Sequence, residues 1–461
     1  MSRYKNLLTT LKLNIFLLFI STFYLTSCKS FVAIDPPKNA LINKVVFSSE
    51  ASLSSAISGM YARLYSYSYN AKTTLFSTLQ ADDLHFSITG SYAPFENNAV
   101  TEDISNINTL WGNSYQLIYI ANALLEGINQ NAQLSESTIR QTRGEALFIR
   151  ALAYFHLLNN WGDMPLVTTT DYEVNRYLGR TSSKEIYQKL ISDLEEAYTL
   201  LSENYPSTGH LRPNRYAVAS LLSEIYLFNE NWTKSAEYAD KVINSNLYQL
   251  EDSLNNVFIS TSKEAIWQLK ATGTEINTKL GQLLLNSQPL KTLASYVQDD
   301  LYTAFEAGDQ RKTHWITGFT YLGTSYHVPY KYKLGYYAGT TPEEYEVMSR
   351  LPELYLYRAE ANAHLSKLDE AIDDLNIIRH RAGLSSLPKG TLSQEATLDA
   401  VMKESRFELM FEGSHRWYDL KRTGKALEVL SAVKPGFTKS DLLWPIPLEQ
   451  QQNNSLLTPN N

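Results

Sequence analysis

Three features of the sequence predict a mainly α-helical protein: a tetratricopeptide-like helical scaffold with a loop-rich insertion carrying a few short strands. The first is the stretch 143–167. Leu147, Ala151, Tyr154 and Leu158 fall at i, i+4, i+7 and i+11, and Phe148, Leu152 and Phe155 fill the neighbouring stripe. So wide an apolar arc predicts a central helix covered on most sides. The second feature is a pair of similar segments, 213–245 and 350–381. Each reads as two helices with a short break, at 229–232 and after Leu365, and a small residue follows each break, Ala236 or Ala371. That is helix–turn–helix repeat logic. The third is what separates them. Residues 264–270 alternate like a short strand, and residues 315–337 hold seven Tyr or Trp at irregular spacing, with Gly318, Gly323 and Gly335. Long irregular insertions on a rigid frame are where binding surfaces sit.

The elements follow in order. Residues 1–27 read as a lipoprotein signal peptide. Arg3, Lys5 and Lys12 make a positive start, residues 13–24 are apolar but too short to span a membrane, and Leu25, Thr26 and Ser27 lead to Cys28. Cys28 is the expected lipid attachment point. It is the only cysteine of the chain, so no disulfide forms within a monomer. Residues 28–48, with Pro36 and Pro37, read as a tether. An amphipathic helix is predicted from Ser49 to about Tyr65, an irregular polar stretch over 66–104, and a helix over about 107–128. The central helix covers about 136–160 and stops at Gly162 and Pro165. Ser182 and Glu185 suggest a capping box that opens a helix through Leu201. The predicted regions are therefore the leader, the tether, an N-terminal helical region at 49–245, a loop-rich region at 246–349 and a C-terminal region at 350–461.

With 461 residues the chain exceeds the ~250–300 at which one compact core stops growing. A net charge of −7 argues against nucleic acid, which needs clustered Lys and Arg. The eight His are scattered, so no metal site is expected, and no cofactor motif is present.

Three motifs carry a resemblance. Glu145-Ala146, Phe148, Arg150-Ala151 and Tyr154-Phe155 precede Trp161-Gly162-Asp163 and Pro165. Arg406, Glu408-Leu409, Phe411-Glu412-Gly413, Arg416 and Asp419-Leu420 follow near the C-terminus, then Leu443-Trp444-Pro445-Ile446-Pro447. In this order, behind a lipoprotein leader, they resemble the signatures of the SusD/RagB family. The tail from Asn453 to Asn461 departs from the family's usual ending. The resemblance implies a helical scaffold with a loop-rich face and a non-enzymatic, lipid-anchored protein at the outer-membrane cell surface. It implies capture of oligosaccharides and a partner, a TonB-dependent outer-membrane barrel of the SusC type. The RagB branch offers peptide capture as an alternative. From other classes there remain a surface glycoside hydrolase and a structural repeat scaffold.

Two constellations are candidates for chemistry. Glu404, Glu408 and Glu412 share a helix face and repel one another unless cations face them. They read as a buried ion-pair network joining the N- and C-terminal parts, with Arg406, Arg416 and Arg422 near in sequence and Arg143 or Arg150 in reach. The alternative is a hydrolytic carboxylate pair. Sugar binding instead needs aromatic platforms flanked by polar groups. Residues 82–98 offer Asp83, His85, Phe86, Tyr92, Phe95, Asn97 and Asn98; residues 296–337 offer Trp315, Tyr321, Tyr326 and Tyr330.

Overall fold

The computed structural model describes residues 46–67, 69–86, 92–128, 134–285, 295–335 and 339–460. The leader, Cys28 and nearly all of the tether lie outside them. Helix α1 (Glu50–Ser66) starts at Ser49, whose hydroxyl accepts from the Ser52 amide, and buries Leu53, Ile57, Met60, Tyr61 and Leu64.

The next stretch corrects the expectation of an irregular segment. Residues Tyr69–Gln80 form a second helix, α2, which is almost wholly buried. Its Thr and Ser side chains hid it, because they give no apolar stripe. Inside the helix they are satisfied locally: the hydroxyls of Thr73, Ser77 and Thr78 donate to the carbonyls of Tyr69, Thr73 and Thr74, each at 2.7 Å. A hydroxyl that bonds its own preceding turn carries little penalty into the core.

The remaining frame is helical: α3 (Ser105–Ile128), α4 (Glu136–Trp161), α5 (Ser183–Leu200), α6 (Arg215–Phe228), α7 (Trp232–Ile243), α8 (Leu351–His364), α9 (Leu368–Arg381), α10 (Gln394–Glu408) and α11 (His415–Arg422). The central helix α4 buries nearly every residue from Thr142 to Trp161. From α3 to α10 each helix packs on the next in sequence. The step from α7 to α8 crosses the whole insertion. Arg358 of α8 binds Asp374 of α9 at 2.6 Å and Asp240 of α7 at 2.6 Å, so one guanidinium ties both repeat pairs. The two similar segments are thus stacked neighbours, as repeat logic requires.

The insertion supplies every strand but β1, and the strands pair in three antiparallel twos. β1 (Leu84–Phe86) pairs with β3 (Ser295–Val297), β2 (Ala265–Leu269) with β6 (Glu346–Arg350), and β4 (Ile316–Tyr321) with β5 (Thr324–Pro329). The β4–β5 turn has φ of 48° at Leu322 and 82° at Gly323, the left-handed pair that a two-residue hairpin turn needs.

The C-terminal motif closes on α4. The Trp444 amide donates to the Asn160 carbonyl at 2.7 Å, and the Trp161 indole donates to the Pro445 carbonyl at 3.0 Å. Gly162 turns the chain with φ 72°, and a Cβ there would stand 3.0 Å from Leu443 Cδ1. A side chain at 162 would therefore meet both backbone strain and crowding.

Candidate functional site

The three glutamates do sit in a buried ion network, but its partners differ from those expected. Arg350 donates to Glu408 Oε1 at 2.6 Å, to Glu412 at 2.7 and 2.8 Å, and to Glu264 at 3.3 Å. Arg311 binds Asp309 at 2.7 Å and Glu404 at 2.6 Å. Arg381 binds Glu264 and Glu408, Arg379 binds Glu404, and Lys331 binds Glu412. The network thus ties α10 to the insertion and to α9, and not to the N-terminal helices. Each carboxylate has a cation, so these charges tolerate burial. Burial pushes the Glu408 carboxyl up, but Arg381, Arg350 and Arg311 together hold it well below the usual range. Glu404, Glu408 and Glu412 are all buried and ion-paired, an arrangement unlike a hydrolytic pair flanking an open sugar site.

The arginines nearer in sequence do other work. Arg406 binds Asp83 at 2.7 Å and Asp300 at 3.0 Å, and Arg416 approaches the same Asp83 oxygen at 3.5 Å. Arg422 takes Glu360 and Asp419, Arg143 takes Glu196, and Arg150 grips Asp193 with two bonds at 2.8 and 2.9 Å. Residue spacing cannot tell which way a helix faces at the end of a long insertion, and that decided the partners.

Next to this frame, strand pairing brings the two aromatic segments together. His85 on β1 stands opposite Tyr296 on β3. Their rings are 4.5 Å apart, and Tyr296 lies 5.0 Å from Tyr326 on β5. His85, Tyr296 and Tyr326 are all partly exposed and form a continuous row. Glu96 borders it, ion-paired with His85 and accepting from the Phe86 amide at 3.3 Å. Asn97 is exposed beside Glu96, Tyr321 is partly exposed at the end of β4, and Tyr330 is partly exposed just after β5. Tyr92 is half-buried, edge-on to Phe86 at 4.8 Å. Such a row offers apolar ring faces with a carboxylate and an amide alongside, which suits a ring carrying both C–H faces and hydroxyls.

Four of the candidates lie elsewhere. Asp83 is buried against Arg406. Phe86 is 8% exposed and packs in the core. Phe95 is fully buried, stacked on Phe76 at 3.9 Å. Trp315 is fully buried as well, with Lys331 4.3 Å from its ring. Aromatic type and loop context could not separate these from the exposed rings; along β1 the alternation of faces does, turning Phe86 inward and His85 outward. Tyr296 is the residue that sequence reasoning used only as a segment boundary. The pairing of β1 with β3 is what makes it central, and 210 intervening positions leave no local signal of that pairing. Among the described residues no group of His, Cys, Asp and Glu is arranged to hold a metal ion, and no helix is long and apolar enough to cross a membrane.

One buried group sets a pH dependence. Burial and the neighbouring Asp419 push the carboxyl of Glu224, on α6, up to about 8, against the pull of Arg422. A carboxyl raised in the folded state stabilises below its ordinary value of 4.5, and that contribution is lost as pH rises through about 8. Glu224→Gln should therefore gain ~1–2 kcal/mol on the wild type as pH rises from 6 to 9. Thermal melts at the two pH values test this; an equal offset at both would refute it.

Comparison with known proteins agrees with this fold. A profile described as starch-binding associating with outer membrane matches residues 31–227, and a SusD family profile matches residues 261–442. SusD-like protein P25 from Formosa agariphila is 25% identical over 94% of this chain and 95% of its own length. A SusD-like protein from Bacteroides ovatus is 23% identical, over 83% of this chain and 77% of its own. Among solved structures, a laminarin-binding SusD-like protein superposes with a TM-score of 0.74 at 23% identity, covering 88% of this chain and 98% of that one. Surface glycan-binding protein A from Bacteroides thetaiotaomicron superposes with a TM-score of 0.77 at 19% identity, covering 90% and 99%. Two profiles of one family, matched in order along most of the chain and on a fold these structures share, show that this protein belongs to the SusD/RagB family.

Proposed function

We propose that this protein is a non-enzymatic glycan-binding lipoprotein of the outer-membrane cell surface. It captures oligosaccharides on the His85–Tyr296–Tyr326 row and passes them to a TonB-dependent barrel of the SusC type. The row itself is the observation that carries this reading: three adjoining, partly exposed rings, tilted to one another and held on paired strands. Rigid strands keep the platform in place, so little ordering is needed on binding. Membership in a family whose relatives include a laminarin binder and a surface glycan-binding protein supports the ligand class.

Calorimetry against a panel of neutral oligosaccharides, β-1,3-glucans included, tests it. Tyr296→Ala and Tyr326→Ala should each lose ~10-fold or more in affinity, since central aromatic anchors dominate small interfaces. Their melting temperatures should stay near the wild-type value. Binding of peptides and of no glycan would replace this reading with the peptide-capture one. Release of reducing ends from the same oligosaccharides would contradict the non-enzymatic assignment.

Attachment rests on Cys28. Cys28→Ala should give a folded protein that fractionates away from membranes, because the lipid and not the fold holds it there. Wild-type retention in the outer-membrane fraction would disprove the anchor.

A further inference from the structure

A second concavity lies where the C-terminal motif meets α4, α5, α6 and α11. It encloses about 830 Å³ and is lined by Asn98, Tyr187, Phe228, Lys421, Lys439 and Asn460, among others. None of His85, Tyr296 and Tyr326 lines it. The volume falls within the ~300–1,000 Å³ of small-molecule sites.

Its charges are unevenly spent. Arg422 is taken by Glu360 at 2.7 Å and Asp419 at 2.7 Å. Asp441 caps its own turn, accepting from the Thr438 amide at 2.6 Å. Lys421 differs. Its ammonium donates to the Asn159 carbonyl and lies 5.0 and 5.2 Å from the rings of Trp417 and Tyr418. No carboxylate offsets its burial, which lowers it to about 7. Lys439 is exposed on the same wall and makes no ion pair among the described residues. Asn98 is 6% exposed, and neither its side-chain oxygen nor its nitrogen has a partner. Both atoms are closed off from solvent, so this amide forms part of the cleft floor, and the exposed Lys439 ammonium is the donor that faces a hydroxyl. Tyr187 and Phe228 add partly exposed apolar wall.

We propose that this cleft is a second ligand site, for a carboxylate-bearing sugar, with Lys421 taking the carboxylate and Lys439 donating to the hydroxyls. The ligand supplies the anion that Lys421 lacks, and a charge-assisted bond in an enclosed site is stronger than a neutral one. The site stands independently of the aromatic row.

Calorimetry and saturation-transfer NMR on the mature chain decide it, with D-glucuronate as the probe and methyl glucoside and acetate as controls. Glucuronate should bind; methyl glucoside should bind ~10-fold or more weakly, as loss of one charged hydrogen bond implies, and acetate, which keeps the charge but lacks the sugar ring and its hydroxyls, should also bind ~10-fold or more weakly. Lys421→Met should show a similar loss. Ser440→Trp, on the exposed wall, should block binding without touching the core; melting temperatures confirm that both variants fold. Tyr296→Ala should bind glucuronate like the wild type, which separates this site from the row. Absence of glucuronate binding at ~10 mM, where a site of ~1 mM affinity is well occupied, would overturn the proposal. Equal binding of either control, or undiminished binding by Lys421→Met, would overturn it too.

Discussion

Replacing Arg350 with Ala should cost the protein more stability than any other single change in the ion network. Arg350 is fully buried and serves Glu264, Glu408 and Glu412 together. Breaking one buried pair costs ~3–5 kcal/mol, because the partner is left charged and unpaired. Arg381 stays on Glu264 and Glu408 and Lys331 on Glu412, but all three buried carboxylates lose a partner at once, which keeps the loss within that range, against a total stability of ~5–15 kcal/mol. Urea unfolding measures it, and a loss under ~1 kcal/mol would sink the structural role assigned to the network. Arg406→Ala is the control. Its guanidinium is 14% exposed, and Arg416 remains 3.5 Å from Asp83, so its loss should be clearly smaller. The network also sets the acid limit. Glu408 and Glu412 are held below 4.5 by their cations, so their contribution is present above that value and lost as pH falls below it.

Trp315→Ala should unfold or strongly destabilise the protein while leaving glycan affinity intact in whatever fraction folds. The ring is fully buried, its indole donates to the Leu254 carbonyl at 3.0 Å, and Lys331, Arg350 and Arg381 lie 4.3, 5.8 and 5.9 Å from it. Emptying such a site costs ~3–5 kcal/mol. Here the cost includes the electron-rich face that three cations share. Melting temperature and calorimetry on the same sample decide between roles. Wild-type stability with lost glycan affinity would return Trp315 to the binding face.

The helical frame was legible because burial writes a period into the sequence. Both pairs, Arg215–Phe228 with Trp232–Ile243 and Leu351–His364 with Leu368–Arg381, fall where apolar spacing predicted them. Helix α2 was not legible, because Thr73, Ser77 and Thr78 satisfy themselves along the backbone and leave no stripe. The candidate face was half legible. Both contributing segments stood out by composition, and His85 and Tyr326 lie on the row. Phe95 and Trp315 have the same chemistry and point inward. The distinction is set by contacts between distant positions, such as Leu84 with Val297, which one sequence does not display. The ion network was visible from its acidic half alone, since Glu404 and Glu408 lie on one helix, with Glu412 in the turn just beyond its end, while their cations are spread over 311–381.

The distant pairings also set a timetable. Asp83 waits for Arg406, which follows 323 positions later, and Arg311, Lys331 and Arg350 wait for carboxylates at 404–412. A chain emerging N-terminus first holds Asp83 and Lys331 without their ion partners, and Arg311 and Arg350 with only Asp309 and Glu264, until almost its whole length is out. Contacts of such long range also form slowly. The last stretch to appear is therefore the one that licenses the native state.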